Sequence, residues 1–211
     1  MKKLSALFFI VLCVCAVFAL ASCGGGEIGE FTAVVNNSSP TKITTHTYIL
    51  SDNGEELNGS FVTEINENGS TLYYEYERNA IPGVDSSPTP VMTVKGTVYY
   101  KDGKYSTDGK SWSADAPDVT AFSFKLDLNK ENLGEYELKR NTLSTTLTVE
   151  NAEKVLGIKL GNVADDSISF KVKTNGSYLT GVEISYTSTT GESVYIDTSY
   201  TYTPAQVEAE E

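Results

Sequence analysis

From Lys42 onward, apolar and polar residues alternate with a period of two. Ile43, Thr45, Thr47 and Ile49 alternate with Thr44, His46, Tyr48 and Leu50. Leu57, Phe61 and Ile65 share one face of the next run, with Glu56, Asn58 and Glu64 on the other. Leu72, Tyr74 and Tyr76 then oppose Tyr73, Glu75 and Glu77, and Met92, Val94, Val98 and Tyr100 oppose Thr93, Lys95, Thr97 and Tyr99. Later runs repeat the form: Phe122, Phe124, Leu126; Leu143, Thr145, Leu147, Val149; Ile168, Phe170, Val172; Tyr178, Val182, Ile184, Tyr186; and Val194, Ile196, Tyr200, Tyr202. Alternation with one wet face predicts antiparallel sheet.

The breaks between runs carry turn chemistry. Asn53-Gly54, Asn68-Gly69, Asp102-Gly103, Asp108-Gly109 and Asn175-Gly176 accept the positive φ angles of tight hairpins. Sequential strands are therefore expected to pair in order, as a meander. The Asn-Gly-Ser triplets at Asn58, Asn68 and Asn175 match a glycosylation sequon but read here as turn or bend chemistry. Helical signals are few. Ile28, Phe31 and Val35 have helical spacing before Pro40, which predicts a brief helix there. Residues 151–156 before Gly157 predict a second, and residues 129–133 before Gly134 a further turn or two. Two loops are candidate binding segments: Asn79 to Pro90, and Ser111 to Val119 with the only tryptophan, Trp112.

The first 23 residues follow different rules. Lys2 and Lys3 precede an apolar run from Leu4 to Leu20, and Leu20-Ala21-Ser22-Cys23 ends it. A charged start, an apolar stretch and small residues at a cleavage point make a secretory signal. The segment resembles the lipobox of bacterial lipoproteins. That resemblance implies that residues 1–22 are removed and that Cys23 is diacylated at sulfur, tethered outside the cytoplasm. A transmembrane helix is the competing reading. The run is at the short limit for a span, and Gly24-Gly25-Gly26-Glu27 follows it instead of a basic stop-transfer cluster. The expected organisation is a signal (1–22), a tether and short helix (23–35), a β domain (36–203) and a disordered acidic tail (204–211).

Removing the signal changes the charge and the cysteine inventory. The mature chain keeps 14 basic against 28 acidic residues, a net charge of −14. Such a surface repels nucleic acid. Cys13 and Cys15 leave with the signal and Cys23 is taken by the anchor. The β domain then has no disulfide, thiol nucleophile or thiolate metal site. An ordinary apolar core has to stabilise it, and 189 residues suffice for one.

Catalytic signals are weak. His46 is the only histidine, sits in mid-strand, and no Gly-x-Ser-x-Gly elbow accompanies it. One histidine without cysteines also rules against the usual zinc sites. Glu64, Glu75 and Glu77 lie on strands; two facing carboxylates would suit glycoside hydrolysis, but solvated strand acids are the default. Asp52-Asn53-Gly54-Glu55-Glu56 and Asp165-Asp166 lack the alternating ligands of a calcium loop. No enzymatic activity, metal or cofactor is expected. Tyrosines are the better lead: Tyr73, Tyr74, Tyr76, Tyr99, Tyr100, Tyr105 and Trp112 fall close together. They read either as the wall of a ligand cleft or as plain strand-formers. Tyr74, Tyr76, Tyr100 and Trp112 are the candidate cleft aromatics.

The run from Gly96 to Ser106 followed by Trp112, and the closing hairpins from Leu179 to Ile184 and Val194 to Tyr200, carry a second resemblance. This layout resembles the LolA/LolB-type lipoprotein carriers and a group of small bacterial lipoproteins. It implies a curved antiparallel half-barrel whose helices cover an apolar cavity for acyl chains. The sequence departs from that pattern in lacking a substantial helix before the first strand. The expected fold is mainly β, a curved antiparallel meander with a few short helices. The expected function is that of a membrane-anchored binding lipoprotein holding a lipid or other apolar ligand in a concave sheet. The alternative is a surface module that binds a glycan or partner protein through exposed aromatics.

Overall fold

The computed structural model describes residues 26–51, 54–79, 91–115, 117, 126–158, 160 and 162–203. The signal segment, Cys23, Asn53, the prolyl loop 80–90, Phe122, Phe124 and the tail 204–211 lie outside the described residues. Among the described residues no helix is long and apolar enough to cross a membrane.

The alternating runs form strands β1 (Lys42–Ser51), β2 (Gly54–Asn66), β3 (Gly69–Asn79), β4 (Val91–Lys101), β5 (Lys104–Ser106), β6 (Tyr136–Lys139), β7 (Thr142–Leu147), β8 (Ile168–Thr174), β9 (Leu179–Thr187) and β10 (Ser193–Thr201). They make one curved, unclosed antiparallel sheet in the order β5-β4-β3-β2-β1-β10-β9-β8-β7-β6. The hairpins pair in sequence as the turn residues require. Asp102 and Gly103, for example, have φ of 50° and 75°, the left-handed pair of a tight β4–β5 turn. The expected single meander is in fact two. β5 and β6 sit at opposite edges, and β1 pairs with β10 in the middle, from Lys42 opposite Thr201 to Leu50 opposite Ser193.

One face of the sheet, here the inner face, carries the helices. α1 spans residues 26–37, about 18 Å of helix. The sequence predicted a brief helix there and no substantial one before the first strand; the helix is longer, and Ile28, Phe31 and Val35 form its buried stripe. α2 (Lys130–Leu133) is capped by Asn129, whose side chain accepts from the Glu131 amide. α3 (Val149–Leu156) is capped twice. The Thr148 hydroxyl accepts from the Asn151 amide at 3.2 Å, and Asp166 accepts from the Val149 amide at 2.6 Å. Val149, expected to end a strand, instead opens this helix because those caps intercept the chain.

The core lies unevenly under this sheet. α1, α2, α3 and Leu126–Leu128 pack on β7 to β10. There Leu133, Leu143, Leu147, Val155, Leu156, Ile168, Phe170, Val172, Val182 and Ile184 are almost wholly buried. A smaller cluster, Phe61, Leu72 and Val98, holds β2 to β4, with Tyr74, Tyr76 and Tyr105 partly buried against it. Leu57 does not join it. The β1–β2 register shifts between Thr47 and Tyr48, so Asn58 is an extra residue that turns Leu57 to the outer face, 55% exposed. β6 was not anticipated; its four residues are too few for a period to register, although Tyr136 and Leu138 do alternate inward.

Candidate functional site

Register fixes which side chains share the inner face. One row runs Tyr200–Ile43–Thr63–Leu72–Val98, the next Thr198–Thr45–Phe61–Tyr74–Gly96, and the next Ile196–Thr47–Gly59–Tyr76–Val94. A further row joins Ile65, Ser70, Tyr100 and Tyr105 at the rim where the β2–β3 and β4–β5 turns lie. The middle strands therefore present hydroxyls. Thr45 and Thr198 share a buried hydrogen bond at 3.0 Å across the β1–β10 junction. Beyond them, on β2 to β5, the face is aromatic.

Glycines let those rings lie down on the sheet. A Cβ at Gly96 would stand 2.4 Å from the Tyr74 Oη, so the absence of a side chain is what admits this ring. Gly59 likewise leaves room for Phe61 and Tyr76, whose rings stack 6.0 Å apart. Tyr74 and Tyr76 are neighbours at 6.1 Å, and Tyr100 meets Tyr105 at 5.0 Å.

Two hollows meet at Ile65. One is an apolar cavity of about 230 Å³ between the C-terminal end of α1 and the sheet, walled by Val35, Pro40, Ile43, Ile65, Leu126, Leu179 and Tyr200. Its frame is polar and tied down. The Ser38 hydroxyl donates to the Val34 carbonyl at 2.8 Å and accepts from the Leu179 amide at 2.7 Å. The Tyr202 hydroxyl donates to the Leu179 carbonyl at 2.6 Å. The Tyr200 hydroxyl, by contrast, is buried with no hydrogen-bond partner among the described residues. Burial, with the Tyr202 phenol adding to it, pushes the Tyr200 phenol far above the ordinary tyrosine value. The second hollow is a cleft of about 520 Å³ between the β2–β3 and β4–β5 turns, lined by Ile65, Asn66, Asn68, Ser70, Tyr100, Lys101 and Asp102. Ile65, 36% exposed, is common to both and marks the boundary between the apolar hollow and the polar cleft.

The expected aromatics divide accordingly. Tyr74 and Tyr76 are on the inner face, and Tyr100, 40% exposed, borders the cleft. Trp112 does not join them. It lies in the loop after β5, 41% exposed, and stacks on none of these rings. Asp108 shapes that loop by accepting from the Lys110 and Ser111 amides and the Ser106 and Ser111 hydroxyls. These bonds, the Ser111 and Lys110 amides foremost, hold its carboxyl well below the usual range. Tyr105 belonged to the tyrosine cluster noted in the sequence, whereas Phe61, Ile65 and Tyr200 were not singled out as site residues. Their inward parity was legible, but their meeting depends on pairings that alternation does not encode.

The remaining chemical candidates have structural places. His46 points outward between Ser60 and Asp197 in register, yet no hydrogen bond joins the three and the His46 Nδ1 has no partner among the described residues. Glu64, Glu75 and Glu77 are exposed on the outer face. Glu64 is four residues along β2 from Ser60, the partner of Glu75, which separates them by about 13 Å. Asp166 caps α3, and Asn175 accepts from the Ser177 and Tyr178 amides to form its turn. Among the described residues no three His, Cys, Asp or Glu side chains gather as a metal site. No protein-family model and no curated protein matches this chain.

Proposed function

We propose that this chain is a membrane-anchored, extracytoplasmic lipoprotein that holds an amphiphile, a lipid or similar apolar-tailed molecule, on the inner face of its sheet. The anchor is Cys23. The observation that carries the binding reading is the pair of hollows sharing Ile65, one apolar and bordered by the end of α1, the other polar-rimmed. An acyl tail suits the first and a polar head suits the second. At about 230 Å³ the chamber is smaller than the ~300–1,000 Å³ of a drug-sized site, room for the end of a chain and not for a whole lipid. The Tyr200 hydroxyl, unpartnered among the described residues, adds a donor close by. The half-buried rings of Tyr74 and Tyr76, packed on buried Phe61, extend the apolar surface beyond the chamber. In this reading the fold plays the part of a lipoprotein-carrier half-barrel, with the end of α1 bordering its hollow.

A titration with a fluorescent fatty acid tests this. Residues 24–211 are expected to bind it saturably, and Ile65→Trp, which puts a larger ring at that boundary, is expected to weaken binding at least tenfold while leaving the melting temperature within a few degrees. Unchanged affinity in Ile65→Trp would move the ligand elsewhere. A second reading has its own support. Tyr73 (45% exposed), Tyr99 and Trp112 present large apolar surface to solvent, as a glycan- or protein-binding module requires.

A further inference from the structure

We infer that the rim carrying the β6–β7, β8–β9, β2–β3 and β4–β5 turns is the end of the molecule that faces the membrane, apposed to anionic lipid headgroups. The inference rests on the lipid anchor proposed above and goes beyond it by assigning an orientation.

The length of chain between anchor and fold limits the choice. Residue 26 is already helical, and three residue steps separate it from Cys23, at most about 11 Å even when fully extended. The first turns of α1 are therefore held at the bilayer surface. They lie on this rim: Glu27, Glu30 and Phe31 share a cleft of about 330 Å³ with Arg140 and Asn141 of the β6–β7 turn and Gly176 of the β8–β9 turn. α1 then runs along the rim, since its far end at Val35 and Ser38 reaches Ile43 and Leu179, the rim ends of β1 and β9.

Charge divides the molecule the same way. The rim gathers Lys42, Lys101, Lys104, Lys139 and Arg140, interspersed with Glu27, Glu30, Glu64, Glu67, Asp102 and Asp115, so it is close to neutral within a mature chain of net charge −14. The opposite end presents Glu150, Asp165, Asp166 and Glu192, all exposed, with Lys154 paired to Glu150. An anionic bilayer repels that end and tolerates the rim. The polar mouth between the β2–β3 and β4–β5 turns then opens toward the bilayer, the source of an amphiphilic ligand.

The test uses the lipidated chain, whose mature form has no cysteine besides the acylated Cys23. Single fluorophores are attached at Asn141→Cys and Glu67→Cys on the rim and at Asp165→Cys on the opposite end, all exposed positions. The protein is reconstituted on phosphatidylglycerol–phosphatidylethanolamine vesicles containing headgroup-nitroxide lipid. Both rim labels are expected to be quenched severalfold more than the Asp165 label. Equal quenching at the three positions, or quenching at Asn141 without Glu67, overturns the orientation. Intact mass and vesicle flotation separate this from the anchor itself: a chain without diacylglyceryl mass, or one that does not float, overturns anchor and orientation together.

Discussion

The Tyr200 hydroxyl is buried without a partner among the described residues, and a phenol in that state opposes folding. An unsatisfied buried donor costs about 1–3 kcal/mol. Tyr200→Phe is therefore expected to stabilise the unliganded protein by about 1 kcal/mol near neutral pH, read as a higher melting temperature. The pH dependence has a defined sign. In the unfolded chain Tyr200 titrates near pH 10, whereas burial keeps it protonated in the fold. Above about pH 10 the unfolded state binds fewer protons, so this tyrosine subtracts stability as pH rises. Thermal melts from about pH 9 to about 11 should show a shallower decline in the variant. A lower melting temperature at neutral pH would mean that the hydroxyl has a partner in solution.

At the scale of elements, α1 closes the well-packed half of the sheet. Phe31 is 6% exposed and belongs to the larger core, so Phe31→Ala should cost about 3–5 kcal/mol in urea denaturation. Tyr100→Ala, on the aromatic half, should cost less than about 1 kcal/mol. Similar losses from both would mean that the two halves are equally packed. Much of this architecture was readable from residues. Asp102-Gly103 and Asn175-Gly176 marked their hairpins because local backbone geometry dictates the residue type. Gly157 and Gly134 likewise marked helix ends. What escaped depends on tertiary pairing. Asn58-Gly59 carried a turn or bend signal inside an alternating run, and only the partner strand reveals that it is a bulge that expels Leu57. Nothing in Lys42–Ser51 announces that it pairs with Ser193–Thr201, more than a hundred residues away. The candidate site sits beside that pairing. Tyr74, Tyr76 and Tyr100 were therefore visible as aromatics, whereas Ile65 and Tyr200 were not visible as its walls.

On the scale of the whole molecule, a single sheet does two jobs. Its β7–β10 half is filled by helices and makes a solid core, while its β2–β5 half offers rings, glycine gaps and the hollows at Ile65. A core this uneven leaves apolar surface exposed, Tyr100 and Ile65 among it. Its occupant is the central claim. The most direct measurement is native mass spectrometry of residues 24–211 purified from a bacterial host, before and after solvent extraction. A bound mass that leaves with the solvent, proves to be a lipid and is absent from Ile65→Trp is the result this account predicts. An unliganded mass that does not shift when fatty acid or phospholipid is offered would contradict it and turn attention to Tyr73, Tyr99 and Trp112.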